Sequence, residues 1–173
     1  MGAFNVCKQL EVSESSFLNA MSSFKGASHR LEKIYSRKGL QVFKDFAHSP
    51  SKVKATVKAV KSQFVGYNII AALELHTFSS LNKTFLSEYK NSMNGVDTAI
   101  VYFDPEAITH KKLENLSANL VFDSFARKDL SVLTNSNKLC RLIESEISDN
   151  TILLLMSSGN FGGLVLEDFA RSL

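Results

Sequence analysis

Four long apolar runs constrain the fold of this chain more than any other feature of its sequence. They read YNIIAALEL (67–75), DTAIVYF (97–103), ANLVF (118–122) and TILLLMSS (151–158). Because none of them alternates with polar residues, each is typical of a strand that is buried on both faces, which usually means a parallel sheet. The sequence therefore predicts a sheet whose strands are covered by helices on both sides.

Amphipathic patterns between these runs supply the helices. After Pro50, the residues Val53, Val57 and Val60 recur on one helical face. Further helices are predicted over 82–92, 136–147 and 163–173, and another near the start over 13–25. The segments 31–37 and 40–46 predict a hairpin around a short turn. Since strands alternate with helices, the predicted fold class is α/β, a three-layer Rossmann-like domain with a mainly parallel sheet.

Charge and cysteine usage exclude several classes of protein. The 20 basic and 17 acidic residues are scattered and give a net charge of +3, so no nucleic-acid partner is expected. No apolar run reaches about 18 residues, so no membrane span is expected. Cys7 and Cys140 both lie among apolar neighbours, and we expect reduced core residues of a cytoplasmic protein. No Cys/His spacing suggests a metal site.

Three polar segments should gather at the carboxyl edge of the sheet, where open α/β sheets bind ligands. They are KDFAHSP (44–50), ELHTFSSLN (74–82) and MSSGNFGG (156–163). In the first, Asp45 and His48 precede a helix N-terminus, which favours anions. Asp45 could accept a sugar hydroxyl, and His48 could contact a phosphate or a base. The alternative is a turn residue beside a histidine with a local hydrogen bond.

The other polar features also leave two explanations open. The glycines of 156–163 could let the backbone approach a ligand, although a glycine-containing turn is the more common explanation. The segment 74–82 could contact a substrate or cap the next helix, and it lacks the G-x-S-x-G pattern of a nucleophilic serine. Lys54, Lys58 and Lys61 are expected to be solvated, unless their helix faces a cleft and they meet a phosphate.

Three segments of the chain carry a family resemblance. FKGASHRLE (24–32) and VFKDFAHSP (42–50) resemble the G-x-x-x-R-x-E and D-[YFG]-A-H-x-P motifs of the Mur ligases, which form amide bonds with ATP. LLLMSSGNFGGL (153–164) is similar to a segment of the branch that joins UDP-N-acetylmuramate to the murein tripeptide L-Ala-γ-D-Glu-meso-diaminopimelate in peptidoglycan recycling. The resemblance extends over nearly the whole chain.

The resemblance implies the C-terminal domain of a three-domain ligase. Residues 26–173 would form that domain, and residues 1–25 would be the last helix of the central ATPase domain. The sequence has no G-x-x-x-x-G-K-[ST] segment, so ATP and Mg²⁺ would be bound mainly by the central domain, and this segment alone would be inactive, with no catalytic residue or metal ligand of its own. In the implied reaction, ATP phosphorylates a carboxylate of a UDP-muramyl substrate and an amine attacks the acyl phosphate.

The resemblance also implies roles for individual residues. Arg30 would reach the phosphates or ribose, Asp45 would hold the ribose, and His48 would lie against the nucleotide. The substrate-binding candidates are His76, Thr77, Ser79, Ser80, Ser158 and Asn160. The LHTFSS loop matches the branch that adds L-alanine at His76 and Ser79, but it lacks that branch's arginines and proline. We therefore expect the tripeptide as amine substrate, with L-alanine, or a non-catalytic nucleotide-binding module, as alternatives.

Overall fold

The computed structural model describes residues 2–23 and 30–173 of the chain. Six strands form one sheet in the order β1-β2-β6-β3-β4-β5, in which β1 is antiparallel to β2 and the other neighbours are parallel. The strands are β1 Glu32–Arg37, β2 Leu40–Asp45, β3 Asn68–Leu75, β4 Thr98–Phe103, β5 Leu130–Leu133 and β6 Thr151–Met156. The predicted α/β class with a mainly parallel, Rossmann-like sheet is confirmed.

Helices cover both faces of this sheet. They are α1 Gly2–Gln9, α2 Glu14–Ser22, α3 Pro50–Gln63, α4 Pro105–His110, α5 Ala118–Phe125, α6 Ser136–Glu146 and α7 Leu166–Ser172, with a 3₁₀ helix at Leu86–Tyr89. The helices α3, α4 and α5 bury side chains against one sheet face, and α6 and α7 bury side chains against the other. The result is the predicted three layers.

The central strand β3 shows why its stretch from Ile69 to Leu73 is uniformly apolar. Ile69 and Ala71 pack in the cluster on one face, and Ile70 and Ala72 pack in the cluster on the other. Successive side chains of a strand point to opposite faces, so a strand covered on both sides needs an apolar residue at every position. The physical basis of the sheet prediction is therefore visible residue by residue.

The prediction of a strand at 118–122 is wrong. The segment is the first part of α5, which begins after Ser117, whose hydroxyl accepts the Leu120 N–H at 3.2 Å. Val121 and Phe125 are buried one helical turn apart. Five apolar residues are too few to distinguish a buried strand from a buried helix by periodicity. The strand at this sheet edge is β5, which the apolar pattern did not indicate.

The helix predicted over 82–92 is also wrong, since only Leu86–Tyr89 is helical, as a single 3₁₀ turn. The Asn82 side chain accepts hydrogen bonds from both the N–H and the hydroxyl of Thr84, at 2.9 and 2.8 Å. Such a bond offers the backbone a turn in place of a helix. The helix α4, which follows the N-cap Asp104, was not predicted.

The first two helices stand apart from the core. Neither α1 nor α2 buries a residue, although the rings of Phe4 and Phe17 pack together at 5.1 Å. The prediction that Cys7 is a core residue is therefore wrong, whereas Cys140 packs against the α6–α7 side of the sheet. Both cysteines are free thiols, and burial raises the pKa of Cys140. The predicted domain division at residue 25 lies outside the described residues, and so does the predicted end of the helix over 13–25.

The carboxyl ends of three neighbouring strands bring the polar segments together. Asp45 at the end of β2 pairs with Met156 at the end of β6, and Met156 pairs in turn with Leu73 of β3. The segments that follow these strands therefore share one edge of the sheet, as predicted. Among the described residues no helix is long and apolar enough to cross a membrane.

Candidate functional site

The carboxylate of Asp45 organises the turn between β2 and α3. Its Oδ1 accepts the Ala47 N–H at 2.8 Å and the Thr56 hydroxyl at 3.2 Å, and its Oδ2 accepts the Leu31 N–H at 2.7 Å. Asp45 is thus a turn residue, as the alternative to a ligand-binding role predicted. A carboxylate has about four acceptor positions, so three bonds leave room for one further donor, such as a sugar hydroxyl.

His48 is held by local contacts. Its Nδ1–H donates to the Phe46 carbonyl at 2.8 Å, and its ring meets the Phe46 ring edge-on at 5.1 Å. The His48 carbonyl accepts the hydroxyl of Tyr89, a residue of the 3₁₀ helix that is fully buried and stacked on Phe125. The imidazole Nε2 makes no hydrogen bond within the part of the chain that the structure describes, which leaves that nitrogen available to a ligand.

A groove of about 260 Å³ lies between this turn and α3. Its lining residues are Arg30, Asp45, Phe46, Ala47, Lys52, Ala55 and Thr56. The structure therefore brings Arg30 and Asp45 to one place, but His48 does not line this groove. Phe46 is 48% exposed, which is unusual for a phenylalanine beside a core strand. A guanidinium, a carboxylate and an open aromatic face suit the phosphates, ribose and base of a nucleotide.

A second groove of about 350 Å³ shares Asp45 and Phe46 with the first. It is lined by Lys44, Asp45, Phe46, Leu155, residues 157–160 and residues 164–167. Ser158 and Asn160 therefore share a groove with Asp45, as the predicted grouping required. Asn160 accepts the Gly163 N–H at 3.0 Å, while the buried Oγ of Ser158 has no partner among the described residues.

Lys44 adds a cation to this second groove that sequence reasoning missed. Its ammonium group donates to Glu167 at 2.6 Å and lies 3.8 Å from Glu32. The hydrogen bond with Glu167 raises the pKa of Lys44 in spite of partial burial, and the same bond lowers the pKa of Glu167. Lys44 precedes Asp45 on the hairpin strand β2. The sequence signal that could have found it was a lysine within an otherwise largely apolar strand.

The loop after β3 makes most of its polar contacts within itself. The Thr77 hydroxyl lies 3.1 Å from that of Ser79 and donates to that of Ser80 at 3.0 Å, and Ser80 is fully buried. None of the four candidates His76, Thr77, Ser79 and Ser80 lines either groove. These contacts agree with a polar turn, and the substrate-binding role of the loop stays a prediction.

Glu74 connects this loop to the one that follows β6, and it was not among the predicted site residues. Its side chain is 1% exposed, and its Oε2 accepts the Ser157 hydroxyl and, at 2.9 Å, the Phe161 N–H. His76 Nδ1 lies 3.7 Å from Oε1, beyond hydrogen-bonding distance. The sequence signal was an acid inside the apolar run NIIAALEL, since a buried charge is rare unless it is paired or hydrogen-bonded.

The glycines of 156–163 fit the protein itself. A Cβ on Gly159 would lie 2.8 Å from Glu74 Oε2 and 2.9 Å from His76 Cγ. A Cβ on Gly162, whose φ is +74°, would overlap the Tyr102 hydroxyl and lie 2.6 Å from Ser136 Oγ. These close approaches favour the structural explanation of the glycines over ligand contact. No group of three or more metal-ligating side chains occurs among residues 2–23 and 30–173.

Comparisons with known proteins agree with this architecture. Residues 29–159 match the family model of the Mur ligase, glutamate ligase domain. The UDP-N-acetylmuramate–L-alanine ligase of Caldicellulosiruptor bescii is 39% identical over 101 residues, which are 58% of this chain and 22% of that protein. The chain spans about a third or less of the length of such curated relatives.

Solved structures share the fold at low sequence identity. The UDP-N-acetylmuramate–alanine ligase of Thermotoga maritima matches with a TM-score of 0.71 at 16% identity, over 97% of this chain and 34% of that one. A murein peptide ligase of Psychrobacter arcticus matches with a TM-score of 0.65 at 18% identity, over 91% and 32%. Since the family match covers most of the chain, the chain belongs to the Mur ligase family and contains its C-terminal, glutamate ligase domain.

Proposed function

We propose that this chain is the C-terminal domain of an ATP-dependent ligase that joins UDP-N-acetylmuramate to an amine substrate in the cytoplasm, where ATP is available. The observation that carries the proposal is the groove in which Arg30, Asp45 and Phe46 meet at the carboxyl edge of a Mur ligase domain. The activity named for the relatives supports the reaction, and the groove supports the binding of a nucleotide.

The residues present fit one side of an ATP molecule. Arg30 is exposed and can donate several hydrogen bonds to phosphate oxygens, and Asp45 has one acceptor position left for a ribose hydroxyl. Phe46 offers an apolar face for the base. When bound, ATP supplies the phosphoryl group that activates a carboxylate toward an amine. The contribution of this chain is to orient the nucleotide and shield it from water, while Mg²⁺ would be bound mainly by the central domain.

L-alanine is the amine that the relatives favour. Curated relatives that match between 87% and 96% of this chain are UDP-N-acetylmuramate–L-alanine ligases. The glycine segment that pointed to the murein tripeptide packs against Glu74, His76 and Tyr102, so its glycines have a reason unrelated to the amine. The tripeptide remains the second candidate, because the murein peptide ligase shares the fold.

Two measurements test the proposal. In the native protein that contains these 173 residues, we expect amide formation with L-alanine to exceed that with L-Ala-γ-D-Glu-meso-diaminopimelate under the same conditions. In chain 1–173, amide chemical shifts on titration with ATP should move at residues 45–47, 52, 55 and 56, and Arg30→Gln should weaken the response. ATP shifts elsewhere, with none in this groove, would contradict the nucleotide assignment.

A further inference from the structure

A groove of about 400 Å³ at the N-terminus of α3 is not used by the proposed nucleotide contacts. It lies between the first turn of α3 and the 3₁₀ helix, and it is lined by Ser49, Pro50, Ser51, Lys54, Phe85, Glu88, Lys90 and Ser92. The nucleotide groove uses different α3 residues, namely Lys52, Ala55 and Thr56. Two separate surfaces therefore meet at the same helix.

The first turn of α3 has backbone N–H groups without hydrogen-bond partners in the helix. Pro50 occupies the first helical position and has no N–H, so the N–H groups of Ser51 and Lys52 are the terminal donors. The N-cap Ser49 makes no side-chain capping bond, and the first turn contains no acidic residue. The positive end of a 14-residue helix is thus left without a negative partner among its own residues.

The buried hydroxyl of Ser92 is a second, independent feature of this groove. The residue is 3% exposed, yet its Oγ has no hydrogen-bond partner within residues 2–23 and 30–173. A buried hydroxyl without a partner is unfavourable, and native proteins contain few of them. Ser92 lines the groove beside the first turn of α3, which puts a donor without a partner in the described chain close to the terminal N–H groups of the helix.

Lysines extend this groove along α3. A neighbouring groove of about 440 Å³ shares Lys54 and continues past Lys58 and Lys61 toward Asn91 and Asn94. The helix PSKVKATVKAVKSQ contains no acidic residue, so its lysines lack the i,i+4 partners that solvated helices commonly carry. No ion pair within the described part of the chain uses these three lysines or Lys90.

We infer that the two grooves form a binding site for a small oligophosphate, with one phosphate group at the N-terminus of α3 and the others along the lysines. The first phosphate accepts from the N–H group of Ser51 and from the Ser92 hydroxyl, and Lys54 and Lys90 neutralise it. The exposed carboxylate of Glu88 lines the rim. Tyr89, between the lining residues Glu88 and Lys90, is fully buried and stacked on Phe125, which fixes the 3₁₀ helix before a ligand arrives.

Titration of chain 1–173 with orthophosphate, pyrophosphate and tripolyphosphate at constant ionic strength tests this site. We expect saturable amide shifts at Ser51 and Ser92, with a dissociation constant that falls as the number of phosphates rises from one to three. Equal affinity for the three anions would overturn the lysine extension. Shifts that do not saturate and spread over exposed lysines of the whole chain would overturn the site itself.

Ser92→Ala separates a ligand-binding role from a structural one. We expect pyrophosphate affinity to fall about tenfold, the effect of losing one hydrogen bond to a charged group. In phosphate-free buffer the same variant should melt at the same temperature or higher, because an unpartnered buried hydroxyl has been removed. A variant that melts lower and binds pyrophosphate normally would overturn the role of Ser92.

Matched variants control for charge and for the nucleotide groove. Lys54→Gln should weaken tripolyphosphate binding several-fold, whereas Lys138→Gln, an exposed lysine on α6, should leave it unchanged. Equal losses in the two variants would mean nonspecific charge attraction and overturn the proposal. Arg30→Gln should leave pyrophosphate binding intact, and loss of binding there would place the anion in the nucleotide groove instead.

Discussion

Two carboxylates near the carboxyl ends of β2 and β3, the strands on either side of β6, have opposite environments in this molecule. Asp45 ends β2 within a turn that is open to two grooves, and its three hydrogen bonds leave one acceptor position. Glu74, near the end of β3, is 1% exposed and is enclosed by the loop that follows β6. The two residues share a position in the fold but differ in access to solvent.

The difference shows that a place at the carboxyl edge of a sheet does not by itself make a binding residue. Asp45 lines two grooves, so we propose it as a ligand-binding residue, whereas the enclosed Glu74 is left with hydrogen bonds inside the protein. A buried carboxylate requires its hydrogen bonds, since an ionised group without them is strongly destabilised. We therefore expect changes at Glu74 to act on folding and changes at Asp45 to act on ligand binding.

Glu74→Ala should give the largest loss of stability. It leaves the Ser157 hydroxyl and the Phe161 N–H unpaired in the interior and creates a cavity, at a cost of about 3 kcal/mol in the free energy of unfolding. Urea denaturation of chain 1–173 measures this. Glu74→Gln, whose amide oxygen can still accept one of these bonds, should lose less. Equal loss in both variants would contradict the hydrogen-bonding explanation.

Gly159→Ala should have the next largest effect. The added Cβ would lie 2.8 Å from Glu74 Oε2 and 2.9 Å from His76 Cγ, so the loop must shift, at a cost of about 2 kcal/mol. Gly2→Ala is the control, because no atom lies within 4 Å of the added Cβ and alanine favours the helix α1. If thermal unfolding shows no difference between the two variants, the close packing around Glu74 is not as described.

Asp45→Ala should lose less stability than Glu74→Ala but more ligand binding. Water can reach part of the turn, so we expect a loss of about 1 kcal/mol in the free energy of unfolding. ATP affinity, measured by calorimetry, should fall about tenfold as the ribose loses a charged acceptor. A variant that binds ATP normally while losing as much stability as Glu74→Ala would make Asp45 another structural carboxylate.

The smallest effect concerns the ion pair between Lys44 and Glu167 in the second groove. The raised pKa of Lys44 means that its contribution is present below its unfolded pKa of about 10.5 and is lost as pH rises through the folded value. The lowered pKa of Glu167 means that its contribution is present above about pH 4.5 and is lost as pH falls.

Lys44→Met should therefore reduce stability most between about pH 5 and pH 10. Because Glu167 is 41% exposed, screening by water limits the loss to under about 1 kcal/mol. Melting temperatures of the wild type and the variant across this range provide the measurement. A difference that is independent of pH from 3 to 11 would show that packing of the lysine stem, and not its charge, is responsible.

The sequence could predict the core of the fold because buried parallel strands favour apolar residues on both faces, as residues 69–73 of β3 and 152–156 of β6 show. It could not distinguish the short apolar run of α5 from a strand. Val121 and Phe125 are one helical turn apart, but this spacing indicates a helix only when Ser117 is also recognised as the N-cap. The motifs named Asp45 and Arg30, which line one groove, and their binding roles stay predictions. Glu74 was not predictable, because its importance depends on donors from a loop more than 80 residues away.

The hydroxyl of Tyr89 bound to the His48 carbonyl has a consequence for how a ligand is received. Turns at sheet edges are commonly flexible, and a ligand that orders such a turn loses affinity through the lost conformational freedom. Here the turn is tied to a tyrosine that is stacked on Phe125 inside the helical layer. The main-chain geometry is thus set when the chain folds, and a molecule that docks at Asp45 encounters a surface with little left to rearrange.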